Sequence, residues 1–117
     1  MTPRKPAKTV YLGEFEQLVL FAVLRLQNGA SGVAIHDEIE ARTGRSVSPG
    51  AIYTTLGRLE ERRLVSSTNL DSVGRVGRPR KHYRLRPAGA RALREAYGSI
   101  QALAGGLLPK LTDLAEE

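Results

Sequence analysis

Helix start and stop signals divide this 117-residue chain into short segments, and they constrain its fold more than any other feature. Ser31 and Ser48 are suited to cap the first turn of a helix, and Pro49 would then occupy the first helical position, where its missing N–H is harmless. Gly29 and Gly44 are suited to end helices, because glycine readily adopts the left-handed backbone conformation. The pattern predicts three short helices, at about residues 12–27, 31–43 and 49–63.

The third predicted helix has one apolar and one polar face. Ile52, Leu56 and Leu59 are spaced four and three residues apart, which makes them a buried stripe. At about 100° per residue, Thr54 and Arg58 lie on the opposite face of this helix. Hydroxyl and guanidinium groups of this kind bind the base edges and phosphates of nucleic acid.

The first predicted helix is apolar around most of its circumference, and such a helix needs two packing partners. One partner is the rest of its own domain. Leu20, Phe21 and Leu24 lie outside its main apolar stripe, so we expect them to contact a second subunit.

Two segments with strand character follow the third helix, at residues 64–68 and 81–86, and a turn containing glycine and proline joins them. This predicts a hairpin with a long tip. Six basic residues and no acidic one fall within twelve positions of it. Such like charges repel one another unless an anion compensates, although a merely solvated loop is the alternative. The six are Arg75, Arg78, Arg80, Lys81, Arg84 and Arg86.

A long fourth helix is predicted from Pro87 towards the C-terminus. Its apolar residues alternate spacings of four and three, as in the seam between paired helices. Gly105, Gly106 and Pro109 interrupt it, so we expect a kink or break there. The seam implies a second copy of the chain; the alternative is a monomer whose helix folds back on itself. The seam residues are Leu93, Tyr97, Ile100, Ala104, Leu107, Leu111 and Leu114.

Composition narrows the classes of function. A net charge of +6 and an isoelectric point near 10.2 favour a polyanionic partner, either nucleic acid or an anionic membrane surface. No stretch approaches the roughly 18 consecutive apolar residues of a membrane span. The chain has no cysteine, which excludes thiolate metal sites and fits a cytoplasmic protein. His36 and His82 lie on separate elements, so we expect no enzyme, no metal site and no cofactor.

The order helix, helix, helix, hairpin, helix is that of a winged helix-turn-helix domain, a mostly α fold of the α+β class. In such domains the third helix enters the major groove, and the hairpin, or wing, contacts the flanking backbone. We expect a flexible basic arm at residues 1–10, the winged-helix domain at 11–86 and a C-terminal dimerisation helix at 87–117.

Three segments resemble the PadR family of transcriptional regulators: LGEFEQLVL at 12–20, SPGAIYTTLGRLE at 48–60 and GRPRKHYRL at 77–85. The resemblance covers about residues 12–95. It implies a homodimeric repressor that binds a palindromic operator in double-stranded DNA, with the first and C-terminal helices forming the dimer. It also implies that Tyr53 contacts phosphate and that Arg78 and Arg80 belong to the wing.

Two positions depart from the family pattern. Arg63 stands where family members often have glycine, so we expect a less sharp exit from the third helix. Arg86 stands where a threonine commonly caps the fourth helix. An arginine side chain cannot cap in that way, which loses about 1 kcal/mol.

We therefore predict a sequence-specific DNA-binding regulator whose Thr54 and Arg58 contact bases. The alternative is a sensor that binds an aromatic or drug-like effector at the dimer interface, in a cavity lined by Phe15, Phe21 and Tyr97. The predicted DNA-binding residues are Ser48, Gly50, Tyr53, Thr54, Arg58, Arg62, Arg75, Arg78, Arg80 and Lys81. The predicted dimerisation residues are Leu20, Phe21, Leu24, Leu93, Tyr97, Ile100, Leu107 and Leu111.

Overall fold

The computed structural model of the chain describes residues 10–70 and 80–117. Residues 1–9 of the predicted arm, and Arg75 and Arg78 of the predicted wing, lie outside the described residues. Within these ranges, helices and strands follow one another in the predicted order. They are α1 (Glu14–Leu26), a 3₁₀ turn (Gln27–Gly29), α2 (Gly32–Thr43), α3 (Pro49–Glu61), β1 (Val65–Leu70), β2 (Arg80–Leu85), α4 (Pro87–Ala104) and α5 (Leu108–Ala115).

The predicted helix starts and stops are confirmed at α2 and α3. The Ser31 hydroxyl accepts a hydrogen bond from the Ala34 N–H at 3.1 Å, and the Ser48 hydroxyl accepts one from the Ala51 N–H at 3.1 Å. Gly44 ends α2 with a φ of 70°. Each cap satisfies backbone groups that the helix itself leaves without partners.

The wing is an antiparallel pair of strands that begins with Val65 opposite Leu85 and extends to Leu70 opposite Arg80. The outer edge of β2 is held by the segment between α1 and α2. There the Tyr83 N–H donates to the Ala30 carbonyl at 2.9 Å, and a single bridge joins Ser31 to His82. The arrangement is the predicted winged helix-turn-helix fold.

One aliphatic core lies between the first three helices, the wing and the start of α4. Tyr83 is its one aromatic member among the buried residues that the structure describes. The buried stripe predicted for α3 is confirmed, since Ile52, Leu56 and Leu59 are fully buried. The cluster consists of Val19, Leu20, Ala22, Val23, Ala30, Ile35, Ile39, Ile52, Leu56, Leu59, Leu64, Val65, Tyr83 and Leu93.

Leu20 and Leu93, both predicted to contact a second subunit, lie in this core instead. Their side chains are 0% and 4% exposed, so neither presents a surface to a partner. The reason is that α1 packs against α2, α3, α4 and β2 of its own chain. The apolar circumference of α1 is thus covered on several sides by elements of its own chain.

The end of α3 is as sharp as a glycine would make it, which corrects the expectation drawn from Arg63. The Leu64 N–H donates to the Leu59 carbonyl and the Arg63 N–H to the Glu60 carbonyl, at 2.9 and 3.0 Å. This pair of bonds is the Schellman motif. Arg63 occupies its left-handed position with a φ of 60°. The backbone hydrogen bonds of the turn are therefore present, and Arg63 adopts the left-handed conformation although it has a β-carbon.

The predicted C-terminal helix is two helices. It breaks at Gly105–Gly106, and Pro109 lies in the first turn of α5, where it needs no hydrogen-bond partner. Arg86 precedes α4 and makes no side-chain cap, as expected. Every residue from Tyr97 to Glu117 is exposed, so the far end of α4 and all of α5 project from the domain.

Candidate nucleic-acid interface

The outward face of α3 is the polar surface that the sequence predicts. Tyr53 is 51% exposed, and Thr54 and Arg58 are exposed beside it. Ser48 and Gly50 are also exposed at the start of this helix. Because the opposite face is fully buried, the orientation of this polar face relative to the domain is fixed.

Two side chains of α2 hold the turn that leads into α3. The Val47 N–H donates to Glu40 Oε2 at 3.1 Å, and His36 Nε2 donates to the Val47 carbonyl at 2.9 Å. The other ring nitrogen of His36 lies 3.0 Å from Asp37 Oδ1. This hydrogen bond, with the Val47 carbonyl and the Glu40 carboxylate, raises the pKa of His36 above its usual value. His36 thus links α2 to the turn that precedes α3.

Arg62, predicted to contact phosphate, is engaged within the fold. Its guanidinium lies 3.0 Å from Glu16 Oε2 and donates to the Tyr11 carbonyl at 2.9 Å. Glu16 lies in the first turn of α1 and Tyr11 precedes that helix, 46 and 51 residues before Arg62, so the pattern around α3 could not indicate them. Arg62 stays a predicted phosphate contact, and in the single chain its guanidinium is paired with the Glu16 carboxylate.

The wing is attached to α3 and to the segment after α1 by polar contacts. The Ser67 hydroxyl of β1 donates to Glu60 Oε2 of α3 at 2.5 Å. On β2, the His82 ring and the Arg84 guanidinium both contact Asn28: His82 Nδ1 donates to the Asn28 carbonyl at 2.9 Å, and Arg84 donates to Asn28 Oδ1 at 3.2 Å. These contacts fix the base of the wing beside α3 and the segment after α1.

Of the basic residues predicted in the wing, Lys81 is exposed on β2, and Arg80 begins that strand opposite Leu70. Arg75 and Arg78 belong to the connection outside the described residues. Asn28 was not identified from the sequence. Its partners are 54 and 56 residues away, and no local pattern predicts such pairs.

Five of the eight predicted dimerisation residues form an exposed apolar surface. Leu24, Tyr97, Ile100, Leu107 and Leu111 are between 44% and 59% exposed. Leu103, Leu108 and Leu114 extend this surface along α4 and α5 and are 84%, 72% and 60% exposed.

Phe21 is partly buried and packs against Tyr97. The two rings meet edge to face, with centroids 5.3 Å apart and an interplanar angle of 81°. Such a pair contributes about 0.5–1.5 kcal/mol beyond the area it buries. It therefore anchors α4 on α1 at the point where α4 leaves the domain.

A groove of about 600 Å³ runs between α4 and α5. It contains none of Phe15, Phe21 and Tyr97, which were predicted to line an effector cavity. Its lining is almost entirely aliphatic, and consists of Ser99, Ile100, Leu103, Ala104, Leu107, Lys110, Leu111 and Leu114.

Over residues 10–70 and 80–117, no three His, Cys, Asp or Glu side chains are grouped so as to hold a metal ion. None of the helices described there has the length and apolar character to cross a bilayer.

Comparison with known proteins points to one family of regulators. Residues 20–95 match the family model described as the transcriptional regulator PadR-like family. No curated protein sequence matches the chain.

Solved structures of PadR family regulators are also similar to this chain. A PadR family transcription regulator from hypervirulent Clostridium difficile is 21% identical, with a TM-score of 0.68 over 85% of this chain and 99% of that one. A PadR family regulator from Eggerthella lenta is 28% identical, with a TM-score of 0.64 over 84% and 86% of the two chains. A PadR-like regulator from Bacillus cereus is 21% identical, with a TM-score of 0.61 over 88% and 92%.

Proposed function

The chain belongs to the PadR-like family of transcriptional regulators, and from that premise we propose that it is a homodimeric repressor that binds a palindromic operator in double-stranded DNA. The observation that carries this proposal is the polar outward face of α3. A helix with one fully buried face presents Tyr53, Thr54 and Arg58 in a fixed direction, as a recognition helix must. Thr54 and Arg58 contact bases, and Tyr53 contacts phosphate.

The wing supplies the phosphate contacts that flank the recognition helix. Lys81 is exposed on β2, and Arg80 stands next to it in the same strand. Arg78 precedes them in the sequence. These three cations fall within four positions of the sequence, and phosphate contacts of this kind position a regulator without specifying sequence.

Dimerisation is supported by the apolar surface of α4 and α5. Its leucines project from the domain and stay exposed in the single chain. A contiguous apolar surface of this kind on a small protein marks an association site. A second copy that packs its own α4 and α5 into the groove would cover the leucines of both chains, and its symmetry would match a palindromic operator.

Selection of bound sites from a random DNA pool tests the proposal directly. We expect an inverted repeat, whose half-site spacing reports the distance between the two recognition helices. With about six cationic phosphate contacts per dimer, the slope of log K against log salt on the selected site should be about −5. A slope near zero, or selected sequences without twofold symmetry, would contradict DNA recognition by a dimer.

A matched pair of substitutions separates base contacts from phosphate contacts. Arg58→Ala should weaken operator binding and relax the preference at particular base pairs, because a guanidinium that contacts a base contributes about 1–3 kcal/mol of discrimination. Lys81→Ala should weaken binding to all sequences alike and reduce the salt slope by about 2 per dimer. Equal effects of Arg58→Ala on specific and random DNA would show that Arg58 does not contact bases.

Repression is tested by in vitro transcription from a promoter that overlaps the selected site. We expect transcript yield to fall as the protein is added, in the same concentration range in which it binds the site. An increase in yield would identify an activator.

Sensing of an effector is the second candidate function, and the aliphatic groove between α4 and α5 is the observation that favours it. Pockets for small molecules are typically apolar and of this size. Planar aromatic compounds that raise the melting temperature and release the operator would support sensing. If compounds from a broad screen leave both quantities unchanged, the groove serves association alone.

A further inference from the structure

Gly32, the first residue of α2, lies directly beneath the ring of Tyr53. Gly32 is buried, and Tyr53 is the half-exposed tyrosine of α3. The two residues are 21 positions apart, and their contact joins the two helices of the helix-turn-helix unit at the exposed end of their interface.

The space above Gly32 is fully used by the tyrosine ring. A β-carbon on Gly32 would lie 2.4 Å from Cε1, 2.6 Å from Cζ and 2.7 Å from the hydroxyl oxygen of Tyr53. Carbon atoms that pack without overlap stay about 3.5–4.0 Å apart. Any side chain at position 32 would therefore displace the hydroxyl end of the ring. The ring takes this position because residue 32 has no side chain.

This contact directs the phenol group. On α3, Tyr53 lies about 40–60° around the helix axis from Gly50 and Gly57, so it belongs to the outward half of the helix. One side of its ring rests on Gly32, while the other remains in solvent. The hydroxyl oxygen ends beside the first turn of α2. Across residues 10–70 and 80–117, no hydrogen bond to this hydroxyl is found, so it is available to an incoming acceptor.

We propose that Gly32 is a positioning residue for DNA binding. Because it has no side chain, it leaves the space in which the Tyr53 ring packs, and in that position the Tyr53 hydroxyl donates to a backbone phosphate. The proposal rests on the function proposed above and names a residue that acts on the DNA through Tyr53. A side chain held in its bound conformation before the encounter loses less rotamer freedom on binding, so the contact strengthens affinity more than a freely rotating tyrosine would.

A double-mutant cycle tests the coupling between the two residues. Gly32→Ala should weaken binding to the selected operator about tenfold, the effect of losing a hydrogen bond to a charged group. Tyr53→Ala should weaken it by at least as much. When Gly32→Ala is added to Tyr53→Ala, the dissociation constant should change less than twofold, because no ring remains to be displaced.

An independent signal reports the contact in the free protein. Nuclear Overhauser effects are expected between the ring protons of Tyr53 and the α-protons of Gly32, and they should disappear in Gly32→Ala. Gly29→Ala is the matched control. Gly29 is an exposed glycine of the 3₁₀ turn before α2, and a β-carbon there has no atom within 4 Å. This control should leave operator affinity unchanged.

The results that overturn the proposal are distinct from those that overturn DNA binding itself. If the unchanged protein binds no DNA, the proposed function fails. If it binds DNA but Gly32→Ala binds equally well, only the positioning role fails. A tenfold loss that persists in the Tyr53→Ala background would mean that Gly32 acts without the tyrosine. Unfolding of Gly32→Ala would also contradict the proposal, because the displaced ring is free to swing into solvent.

Discussion

Arg63 sustains a backbone conformation that L-residues rarely adopt. Within the described part of the chain, the non-glycine residues with positive φ are Gln27, at 50°, and Arg63, at 60°. The left-handed conformation strains a residue that has a β-carbon by about 1–2 kcal/mol, and glycine avoids this at some loss of entropy. The Schellman hydrogen bonds at the end of α3 keep Arg63 in this conformation.

Arg63→Gly should therefore raise the free energy of unfolding by about 1 kcal/mol. Thermal or urea unfolding followed by circular dichroism measures the change. Arg94→Gly is the matched control, since Arg94 is exposed within α4, where glycine should lower stability by about 1 kcal/mol. Equal signs for the two substitutions would contradict the strain at Arg63.

His36 makes the stability of the helix-turn-helix unit depend on pH. Its ring nitrogens face the oxygens of Asp37 and Val47, at 3.0 and 2.9 Å, and both are acceptors. Only the imidazolium form donates from both nitrogens. The hydrogen bond with Asp37 is the largest cause of the raised pKa of His36, which desolvation partly opposes. The folded pKa therefore lies above the unfolded one.

With this sign, the stabilisation by His36 is complete below the unfolded pKa, near 6.5, and is lost as pH rises through the folded pKa. His36→Gln should destabilise the protein most at a pH of about 5.5 and least at about 8.5. Urea unfolding at several pH values measures this. Val33→Gln is the control, because Val33 is an exposed residue of α2 whose side chain does not titrate. A pH-independent effect of His36→Gln would show that a charged His36 does not stabilise the fold through these two hydrogen bonds.

At the scale of elements, α4 approaches the wing through Gly89. A β-carbon on Gly89 would lie 2.2 Å from the Leu64 carbonyl oxygen and 2.8 Å from Leu85 Cδ1. The same carbonyl accepts a hydrogen bond from the Arg86 N–H at 2.9 Å. Because the obstacle is backbone, it cannot swing away as the ring of Tyr53 can.

Gly89→Ala should therefore destabilise the fold by about 3 kcal/mol, the upper range for overpacking. Gly98→Ala, in the same helix, should stabilise it by up to about 1 kcal/mol. Chemical denaturation of the two variants measures both effects. If Gly89→Ala retained the stability of the unchanged protein, the close approach of α4 to Leu64 would be wrong.

The boundaries of the elements could be predicted because they depend on nearby residues. Ser31 and Ser48 each cap a helix through a backbone group three positions later, and Gly44 ends one in the left-handed conformation. Such signals are local. The break between α4 and α5 was also predictable, since Gly105, Gly106 and Pro109 fall within five residues.

The packing partners of those elements could not be predicted. Leu20 lies on a helix that is apolar on several sides, and its periodicity does not distinguish the core of its own domain from a second subunit. Arg62 is a basic residue at the end of α3, as expected of a phosphate contact, yet its guanidinium donates to the carboxylate of Glu16, 46 residues earlier in the sequence. Gly32 depends on where the ring of Tyr53 falls. In each case the deciding contact is distant in sequence.

At the scale of the whole molecule, the single chain is extended. Its radius of gyration is 17.2 Å, whereas a compact domain of this length would have about 13 Å. The difference arises from α5 and the far end of α4, whose residues are all exposed. The apolar stripe that α5 and the far end of α4 expose within residues 10–70 and 80–117 is stabilised by association.

Leu103→Gln combined with Leu111→Gln should convert a dimer into a monomer of 12.8 kDa, because both leucines are more than half exposed on this stripe. Sedimentation equilibrium measures the mass. Val33→Gln is the control: Val33 is 62% exposed but lies on α2, so its replacement should leave the mass unchanged. A monomeric mass for the unchanged protein would contradict the association surface.

The four tyrosines of this tryptophan-free chain occupy four different surroundings. Tyr53 rests on Gly32, Tyr97 meets Phe21 edge to face, Tyr11 is 81% exposed, and burial raises the pKa of Tyr83 in the core. The molecule therefore carries its own set of probes. With fluorotyrosine incorporated, four fluorine resonances would follow operator contact, subunit pairing, solvent and core integrity separately, in one sample and without any engineered label.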